Sequence, residues 1–584
     1  GDEWEEGRKF MQKYEAYGET VETANVVTQV KGKNRQKRVL VTGKYLLFTI
    51  KDGKQLGKQG KTSVSKVFYL LDLEEVQAKG QTVRLSFRKR KHHEGAADKL
   101  AFGHHHPSST KTGLTKPGVQ VLEFTHPDST AILKQLVGRY ANLTQGWPAE
   151  EVAQLLVPAD VLGQVVKAWE TGARAGGLID TYYACCVASR SRPSLEFVHF
   201  VEDCAERRTD VLRLSECPGL FAKSSITPEA LPVFEALRHN SYFHALLLAD
   251  TCLKNTVDDV AEALIPKNRC LQKLILSGLP PSYAWETFGL RLRDNPHQAL
   301  QVIDLSHNRL GTKGVVALSR AIQQFPHGLA ALSLAHCYVP SKGMVALFKA
   351  FSCAYGVSLT LRHLDVSHNA LELDACHALD AWLEYAGEHT CLRLLDLSGT
   401  GASLSNMGKH FRHLQDLEEL YLSDLKLEVP DAQVLAISLD TSPNLRVLSL
   451  ARSVQKPDIL GSLLSSVMAN KNIRGLELDI SKNRLEEREV PALSNILLRA
   501  SSALDRLDLT GTKLTERDFV NILSSIRRAK PASSIRTLVC DYCCTVTSAS
   551  SAEHVGLAVV SLLEEGTGLR ALSLRGFGPR VLDP

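Results

Sequence analysis

The chain has 584 residues, 44% of them hydrophobic and 23% charged, with a net charge of +5. This length predicts several folded units. No run of about eighteen apolar residues occurs and the N-terminus is acidic, which excludes a typical transmembrane helix or signal peptide. Residues 1–145 carry 25 Lys and Arg against 15 Asp and Glu, a balance of +10, whereas residues 146–584 carry 44 against 49. We therefore expect the N-terminal part to meet an anionic surface.

Seven segments in the N-terminal part alternate like strands and are separated by Gly- and Lys-rich turns. They are Val21–Val30, Arg38–Val41, Tyr45–Ile50, Val64–Leu71, Leu73–Ala78, Thr82–Phe87 and Val119–Thr125. An amphipathic helix follows, with Asp128 or Ser129 as its N-cap. Seven strands and one C-terminal helix is the order of a pleckstrin-homology fold. Residues 1–145 are therefore predicted to form a β-rich, pleckstrin-homology-like domain.

Basic residues crowd the predicted turns of this domain. The first hairpin and the next connections carry Lys31, Lys33, Arg35, Lys37, Arg38, Lys44, Lys51, Lys54, Lys58 and Lys61. These side chains are either solvated turn residues or a polybasic cluster, in which each cation near an anionic leaflet contributes about 1 kcal/mol. A phosphoinositide-binding signature is only loosely present. We therefore expect weak, charge-based contact with anionic membrane lipid, through Lys31, Lys33, Arg35, Lys37, Arg38 and Lys44.

Two groups of metal-binding residue types are interpreted without a metal. Five histidines, at 92, 93 and 104–106, lie between Arg88 and Gly118 among Pro, Ser, Thr and Lys, and this tract is predicted to be a disordered loop. The thirteen cysteines are scattered, and the adjacent pairs Cys185-Cys186 and Cys543-Cys544 do not match a zinc pattern. We expect buried, reduced thiols of a cytosolic protein, with neither a metal nor another cofactor.

The second half of the chain repeats one phrase of the form L-x-x-L-x-L-x-x-(N/C)-x-L. It is clearest as LQVIDLSHNRL from Leu300, LAALSLAHCYV from Leu329 and LRHLDVSHNAL from Leu361. The phrase predicts a leucine-rich repeat: a short strand with inward leucines, then a turn whose backbone groups are satisfied by the ninth residue. Twelve copies begin at Phe243, Leu271, Leu300, Leu329, Leu361, Leu392, Leu417, Leu445, Gly475, Leu504, Ile535 and Leu569, with a half copy around Leu212 and Leu214.

The copies start 25 to 34 residues apart, which leaves room for a helix in each. Thr312 and Ser341 are the expected N-caps of two of these helices. The pattern predicts an α/β leucine-rich repeat solenoid, a ribonuclease-inhibitor-like horseshoe, over residues 207–584. Residues 146–206 are predicted to be a helical linker with helices at Glu150–Glu170 and Leu178–Ser189, which caps the N-terminal end of the solenoid.

Charged residues recur at fixed positions of the repeats and are predicted to line the concave face. Arginines follow the first leucine of several copies and aspartates precede the third apolar residue: Arg362, Arg393, Arg446, Arg536, Arg570, Asp304, Asp365, Asp396 and Asp508. They form either a ladder of mutually paired charges on a solvated sheet, which we favour, or a groove that binds a partner protein. The candidate protein-binding residues are Arg362, Arg393, Arg446, Arg536, Asp365 and Asp396.

The domain order, the connector around Gly176-Gly177 and Tyr182-Tyr183-Ala184-Cys185-Cys186, and the repeats from Gly311 to Met344 resemble the CARMIL proteins, which link actin capping protein and myosin I. The resemblance implies a non-enzymatic cytoskeletal scaffold in the cytoplasm, peripheral at the plasma membrane, with cytoskeletal proteins and no nucleic acid as partners. The family's capping-protein motif, L-x-H-x-T-x-x-R-P-K, does not occur in the 584 residues. Its capping-protein-binding tail is therefore expected to be absent from this chain.

Two further expectations concern assembly and catalysis. The last strand at Leu569–Leu574 is followed by few residues, which predicts either weak self-association, as in a homodimer, or a missing capping segment. No phosphate-binding loop, nucleophile elbow, zinc-protease or kinase motif occurs, so no catalytic residue is assigned. The alternative is a leucine-rich-repeat GTPase-activating protein of the small nuclear GTPase type, for which Arg238 and His239 are the candidate polar groups.

Overall fold

The computed structural model describes residues 2–51, 64–89, 118–219, 230–251, 253, 255–407, 410–454, 456–485, 489–499, 504–529, 535–564 and 568–577. The chain divides into two compact units: residues 1–245 with 267–270, and residues 246–266 with 271–584. The predicted linker, residues 146–206, therefore lies within the first unit. The predicted histidine-rich loop and Lys54, Lys58 and Lys61 lie outside the described residues.

The first unit contains an eight-stranded sheet in the order β4-β3-β2-β1-β7-β6-β5-β8. Its strands are β1 (Val21–Lys31), β2 (Asn34–Gly43), β3 (Leu46–Lys51), β4 (Val64–Tyr69), β5 (Leu73–Lys79), β6 (Thr82–Arg88), β7 (Val119–Thr125) and β8 (Gln154–Leu156). Neighbouring strands are antiparallel, except that β8 runs parallel to β5. All seven predicted strands are present, and their apolar residues pack into one core that includes Val41, Phe48 and Phe124.

The helices of the first unit are α1 (Asp2–Glu15), α2 (Ser129–Leu143), α3 (Ala159–Thr171), α4 (Leu178–Ser189), α5 (Leu195–Glu206) and α6 (Leu231–Leu237), with a short strand, β9 (Val211–Arg213), before α6. The predicted cap of α2 is confirmed, because the Asp128 side chain accepts a hydrogen bond from the Ala131 amide at 3.2 Å. The helix predicted at Glu150–Glu170 is wrong in its first part. A 3₁₀ turn and β8 occupy that part, and α3 begins only after Pro158, which fixes the backbone angle before the first turn.

A buried carboxylate joins the end of α1 to the turn between β2 and β3. Glu19 is 1% exposed, and it accepts hydrogen bonds from the amides of Thr20 at 2.9 Å, Lys44 at 2.6 Å and Tyr45 at 3.1 Å. Gly43 lies against it, because a Cβ there would be 2.6 Å from Glu19 Oε1. Burial raises the pKa of Glu19 from 4.5 to about 7, which outweighs the amide donors that lower it.

The second unit is an array in which strands alternate with helices. Its strands are β10 (Ala245–Ala249), β11 (Lys273–Ser277), β12 (Val302–Asp304), β13 (Ala331–Ser333), β14 (His363–Asp365), β15 (Leu394–Asp396), β16 (Glu419–Tyr421), β17 (Val447–Ser449), β18 (Leu476–Asp479), β19 (Leu504–Asp508), β20 (Thr537–Val539) and β21 (Ala571–Ser573). They follow one another in sequence order, and the pairs from β11 to β21 are parallel. These strands match the twelve predicted repeats, so the leucine-rich repeat fold is confirmed.

The helices of the array are α7 (Thr256–Asp259, continued by a π turn), α8 (Trp285–Arg293), α9 (Gly311–Ile322), α10 (Ser341–Cys353), α11 (Tyr355–Thr360), α12 (Leu373–Ala386), α13 (Val429–Thr441), α14 (Pro457–Ala469), α15 (Glu489–Arg499), α16 (Glu516–Arg528) and α17 (Ala549–Glu564). The predicted caps of α9 and α10 are wrong. Leu310 and Pro340 occupy the N-cap positions, and no side-chain cap hydrogen bond forms there. Between β15 and β16 the described residues form only 3₁₀ turns, because this repeat has 25 residues.

Buried side chains in the turn after each strand connect neighbouring repeats. The Asn369 amide donates to the carbonyls of Leu334 at 2.7 Å and Val366 at 3.0 Å, and its oxygen accepts from the amides of Cys337 at 3.2 Å and Val339 at 3.0 Å. Asn308, Cys337 and Asn483 likewise donate to carbonyls of the preceding repeat. The predicted role of the ninth repeat position is therefore confirmed.

The raised pKa of Glu19 predicts a pH-dependent stability. The folded pKa of Glu19 lies above its unfolded value, so protonation of Glu19 stabilises the folded state. This contribution to the unfolding free energy is complete below about pH 4.5 and is lost as the pH rises through about 7. We expect Glu19→Gln to flatten the dependence of the unfolding free energy on pH, measured by urea denaturation. Glu19→Ala should cost about 3 kcal/mol, since three buried amides lose their acceptor.

Glu15→Gln, at an exposed position on the same segment, is the matched control and should retain the wild-type pH dependence. Parallel stability curves for wild type and Glu19→Gln between about pH 5 and pH 8 would contradict the assignment.

Candidate functional site

The exposed face of the parallel sheet carries three rows of side chains that run across the strands. Strand residues alternate between the two faces, so the buried middle residues, such as Ile303 and Leu332, separate the exposed ones. The first row holds the residue that follows the first leucine of each repeat. The second and third rows follow the strand register, as in Val302, Ala331, His363 and Leu394 for the second row and Asp304, Ser333, Asp365 and Asp396 for the third.

The predicted arginines lie in the first row and alternate in part with acidic residues. Backbone hydrogen bonds of 2.7 to 2.8 Å connect Arg362, Arg393, Glu418 and Arg446 in that order. Glu418 is 3.5 Å from the Arg393 guanidinium and 3.9 Å from that of Arg446, and Arg536 is 3.3 Å from Asp505. Such exposed pairs each contribute about 0.2–1 kcal/mol. Arg393, Arg446 and Arg536 are therefore paired with neighbouring carboxylates, which are not the predicted aspartates, while their guanidinium groups stay accessible to a partner.

The predicted aspartates lie in the third row and serve the turns that follow the strands. Asp365 accepts from the Ser367 amide at 3.0 Å and Asp396 accepts from the Ser398 amide at 2.8 Å. Asp304 and Asp508 make the same contact two residues ahead. Burial raises the pKa of Asp396. These carboxylates are therefore engaged by the chain itself, and their geometry explains the recurrence of Asp at this position through turn formation.

A further row of residues follows at the eighth repeat position, where the backbone adopts left-handed angles. Its members are Asp250, Gly278, His307, His336, His368, Gly399, Asp424, Arg452, Lys482, Gly511, Tyr542 and Gly576. The repeat phrase places His307, His336 and His368 in its predicted turns, and no functional role was predicted for any of them. The repeat pattern could have indicated them, because all three histidines stand one residue before the recurring Asn or Cys position of the phrase.

The predicted lipid-binding residues of the first unit do not all share one surface. Lys31, Lys33, Arg35 and Lys37 are exposed around the β1–β2 hairpin. Arg35 and Lys37 pair with Val30 and Thr28 on one face of the hairpin, and Lys31 points to the other.

The remaining two predicted lipid-binding residues are engaged by the protein. Arg38 is only 7% exposed, and its guanidinium donates a hydrogen bond to the Gln36 side chain. Lys44 forms an ion pair with Asp180 on α4 at 3.0 Å. The hairpin therefore offers four exposed cations, Arg38 belongs to the interior, and Lys44 is partly neutralised.

The two candidate residues for GTPase activation, Arg238 and His239, are both partly buried. His239 is half-buried and its ring lies 4.5 Å from the Trp147 ring. Burial lowers the pKa of His239 to about 4, so the imidazole is neutral near pH 7. No group of three His, Cys, Asp or Glu side chains able to hold a metal occurs among the residues that the structure describes. The described helices also include none that is long and apolar enough to cross a membrane.

An open cleft of about 480 Å³ lies beside α3 in the first unit and contains two tryptophans, Trp147 and Trp169. Its remaining lining is mostly apolar, and the Thr144 hydroxyl is already engaged. That hydroxyl donates to the Tyr140 carbonyl at 2.9 Å and accepts from Trp169 Nε1 at 3.2 Å. We therefore assign no ligand chemistry to this cleft.

Comparison with known proteins supports the leucine-rich repeat interpretation. A family model described as "Leucine Rich repeat" matches residues 297–319 and 357–379. The chain is 26% identical over 351 residues to "Capping protein, Arp2/3 and myosin-I linker protein 3" of Homo sapiens, which covers 58% of this chain and 25% of that protein. It is 25% identical over 288 residues to "Protein CARMIL" of Dictyostelium discoideum, covering 49% and 26%.

The chain is also 25% identical over 282 residues to "Rho GTPase-activating protein gacW" of Dictyostelium discoideum, covering 48% of this chain and 25% of that protein. The resemblance to the CARMIL proteins is confirmed by two of these relatives. The matched segment spans about a quarter of the length of each relative.

Proposed function

We propose that this chain is a non-enzymatic scaffold of the actin cytoskeleton, in which the leucine-rich repeats bind cytoskeletal proteins and the N-terminal domain contacts anionic membrane lipid. The observation that carries the proposal is the continuous parallel sheet from β11 to β21, which presents charged rows on one face of a chain similar to linker proteins of capping protein, Arp2/3 and myosin-I. Such an extended surface suits protein binding. The corresponding location is the cytoplasm, at the cytoskeleton and the periphery of the plasma membrane.

The order of seven antiparallel strands followed by α2 supports the pleckstrin-homology interpretation of the N-terminal domain. The proposal keeps the predicted domain limits, with the N-terminal domain ending at residue 145 and the helical linker at residue 206. It also includes assembly of the chain into a homodimer. The alternative, a GTPase-activating protein, is less favoured because His239 is half-buried against Trp147. A GTP turnover assay with a small GTPase should show no acceleration by the chain, and an acceleration would revive the alternative.

The first-row arginines test whether the sheet binds a partner. The double variant Arg393→Glu and Arg446→Glu reverses two exposed charges beside Glu418. We expect binding to the cognate protein among capping protein, Arp2/3 complex and myosin-I to weaken at least about tenfold, which corresponds to roughly 1.4 kcal/mol. Surface plasmon resonance near pH 7.5 with each purified protein gives the measurement.

The matched control is Arg320→Glu with Lys349→Glu, since both residues are exposed on helices of the same array and the change in net charge is identical. Circular dichroism should show both variants folded, because exposed substitutions usually change stability by less than about 0.5 kcal/mol. Equal binding by wild type and both variants, or no binding of any of the three proteins, would remove this face as the docking surface for them.

The hairpin cations test membrane contact. We expect the chain to bind phosphatidylserine vesicles weakly at low salt, and to be released when salt is raised several-fold, because screening acts over about 8 Å at physiological ionic strength. Replacing the four exposed hairpin residues Lys31, Lys33, Arg35 and Lys37 by Ser should abolish binding at low salt. Vesicle sedimentation measures the bound fraction.

A second set of four exposed basic residues serves as the control for charge alone: Arg8, Lys13, Lys79 and Lys89, each replaced by Ser. This variant should bind nearly as well as wild type if the hairpin is the contact. Equal losses in both variants would indicate a diffuse attraction, and failure of wild type to bind at low salt would refute membrane contact.

A further inference from the structure

The left-handed turns of the repeats place one side chain of each repeat over the turn of the next. A Cβ added to Gly399 would lie 2.4 Å from Nδ1 of His368, and one added to Gly576 would lie 2.2 Å from the Tyr542 ring. Glycine is therefore required at these two positions, because its neighbour's ring covers the turn. The row is thus a strip of residues along the C-terminal ends of the strands, in which glycines interrupt the side chains.

Three successive members of this strip are histidines whose rings are stacked. The ring centroids of His307 and His336 are 4.8 Å apart with an interplanar angle of 14°, and those of His336 and His368 are 3.9 Å apart at 11°. All three residues are exposed. Their spacing follows from the separation of neighbouring strands, about 4.8 Å, so the protein backbone fixes the stack in place.

An exposed tyrosine and an arginine adjoin the stack. Tyr338 is 70% exposed and has a φ of 53°, and the Arg309 guanidinium lies 5.3 Å from its ring centroid. A left-handed conformation costs a residue with a side chain roughly 1–2 kcal/mol, and burial of the ring does not offset that cost here. Strained residues of this kind concentrate where proteins contact ligands, and Tyr and Arg are enriched among residues that dominate protein interfaces.

Fixed charges of both signs lie in the repeats that carry the histidines. The third-row carboxylates of Asp304, Asp365 and Asp396 lie at the ends of β12, β14 and β15, three residues before the turn row, and Asp365 favours the charged form of His336. Among cations, Arg309 lies in the same turns as the stack, and the exposed first-row residues Arg362 and Arg393 precede β14 and β15.

His363 is exposed on β14, and Asp250 and Asp424 lie further along the turn row. The three carboxylates and Arg309 therefore lie near the turns that carry the stack, whereas Arg362 and Arg393 lie at the other end of their strands. The net charge around the three stacked rings therefore depends on the protonation of the imidazoles.

We propose that His307, His336 and His368, together with Arg309 and Tyr338, form a docking surface for an acidic protein segment, which binds more tightly as the pH falls. This inference rests on the proposed function of the repeats as a protein-binding platform, and it adds the place and the chemistry of one contact.

Protonation adds up to three positive charges to the strip and converts both ring nitrogens of each histidine into donors. Neighbouring imidazolium rings at 3.9 to 4.8 Å repel each other, so carboxylates bound along their edges offset that repulsion. The carboxylates of the segment stay ionised in this range because their usual pKa is near 4. Burial and the two flanking histidines lower the pKa of His336, so the full charge develops below the usual histidine range.

The test uses the whole chain and a fluorescent synthetic peptide of alternating Glu and Gly residues. We expect fluorescence anisotropy to show roughly tenfold tighter binding at about pH 5.5 than at about pH 7.5. The triple variant His307→Asn, His336→Asn and His368→Asn should lose most of that gain, because Asn accepts left-handed angles but does not titrate. Tyr338→Asn should weaken binding at both pH values.

The control triple variant, His297→Asn, His327→Asn and His377→Asn, removes three exposed histidines elsewhere in the array and should keep the gain. Circular dichroism at both pH values checks that each variant is folded. A gain that survives in the first triple variant, a gain that disappears equally in both, or no gain in wild type would overturn the proposal. These outcomes are independent of the Arg393 and Arg446 assays, which are made at a single pH with different substitutions and different binding proteins.

Discussion

The buried amide of Asn369 shows the constraint on which the array depends. A parallel strand of three residues makes few hydrogen bonds, and the turn after it leaves buried amides and carbonyls that must be paired. Asn369 pairs with groups of its own repeat, through Val366, and of the preceding repeat, through Leu334, Cys337 and Val339. The same side chain therefore closes one turn and fixes its position against the preceding one. Repetition of this contact keeps the strands in register.

The functional surfaces follow from that register. Because neighbouring turns are held in register, residues at equivalent repeat positions lie side by side and form rows. A row can combine charges or rings in a way that a single repeat cannot. The first row places Glu418 between Arg393 and Arg446, and the turn row stacks three imidazoles. A similar charge placed on a flexible loop would be free to move. The proposed docking surfaces are consequently properties of the array, and mutations in the buried turns should affect them from a distance.

The sequence predicted the elements whose buried residues recur at a regular spacing. The leucines and the ninth-position residues repeat closely enough to locate twelve strands, and alternation located seven strands in the first unit. It missed α1, because the described helix buries few residues, Gly7, Met11 and Tyr14, among charged neighbours. It also misread the residues after Glu150, since the short strand β8 is stabilised by pairing with β5, a contact remote in sequence.

Individual site residues were less predictable than the fold, because exposure and pairing depend on distant parts of the chain. Arg38 resembles its basic neighbours in sequence, but it shares the interior face of the hairpin with Val27. Lys44 meets Asp180 from a helix 136 positions away. The aspartates of the third row recur because they hold turns, a role that the repeat pattern could have indicated. His336 was not recognised as equivalent to His307 and His368, because Ala335 precedes it where a serine precedes the other two histidines.

Hydrogen exchange of Asn369→Ala tests most directly the claim that buried turn side chains hold the repeats in register. The amides of Cys337 and Val339 lose their acceptor in this variant, so their exchange should accelerate at least about tenfold, together with neighbouring turn amides, while the first unit remains unchanged. Exchange of Cys337 and Val339 at wild-type rates in a folded Asn369→Ala variant would contradict it.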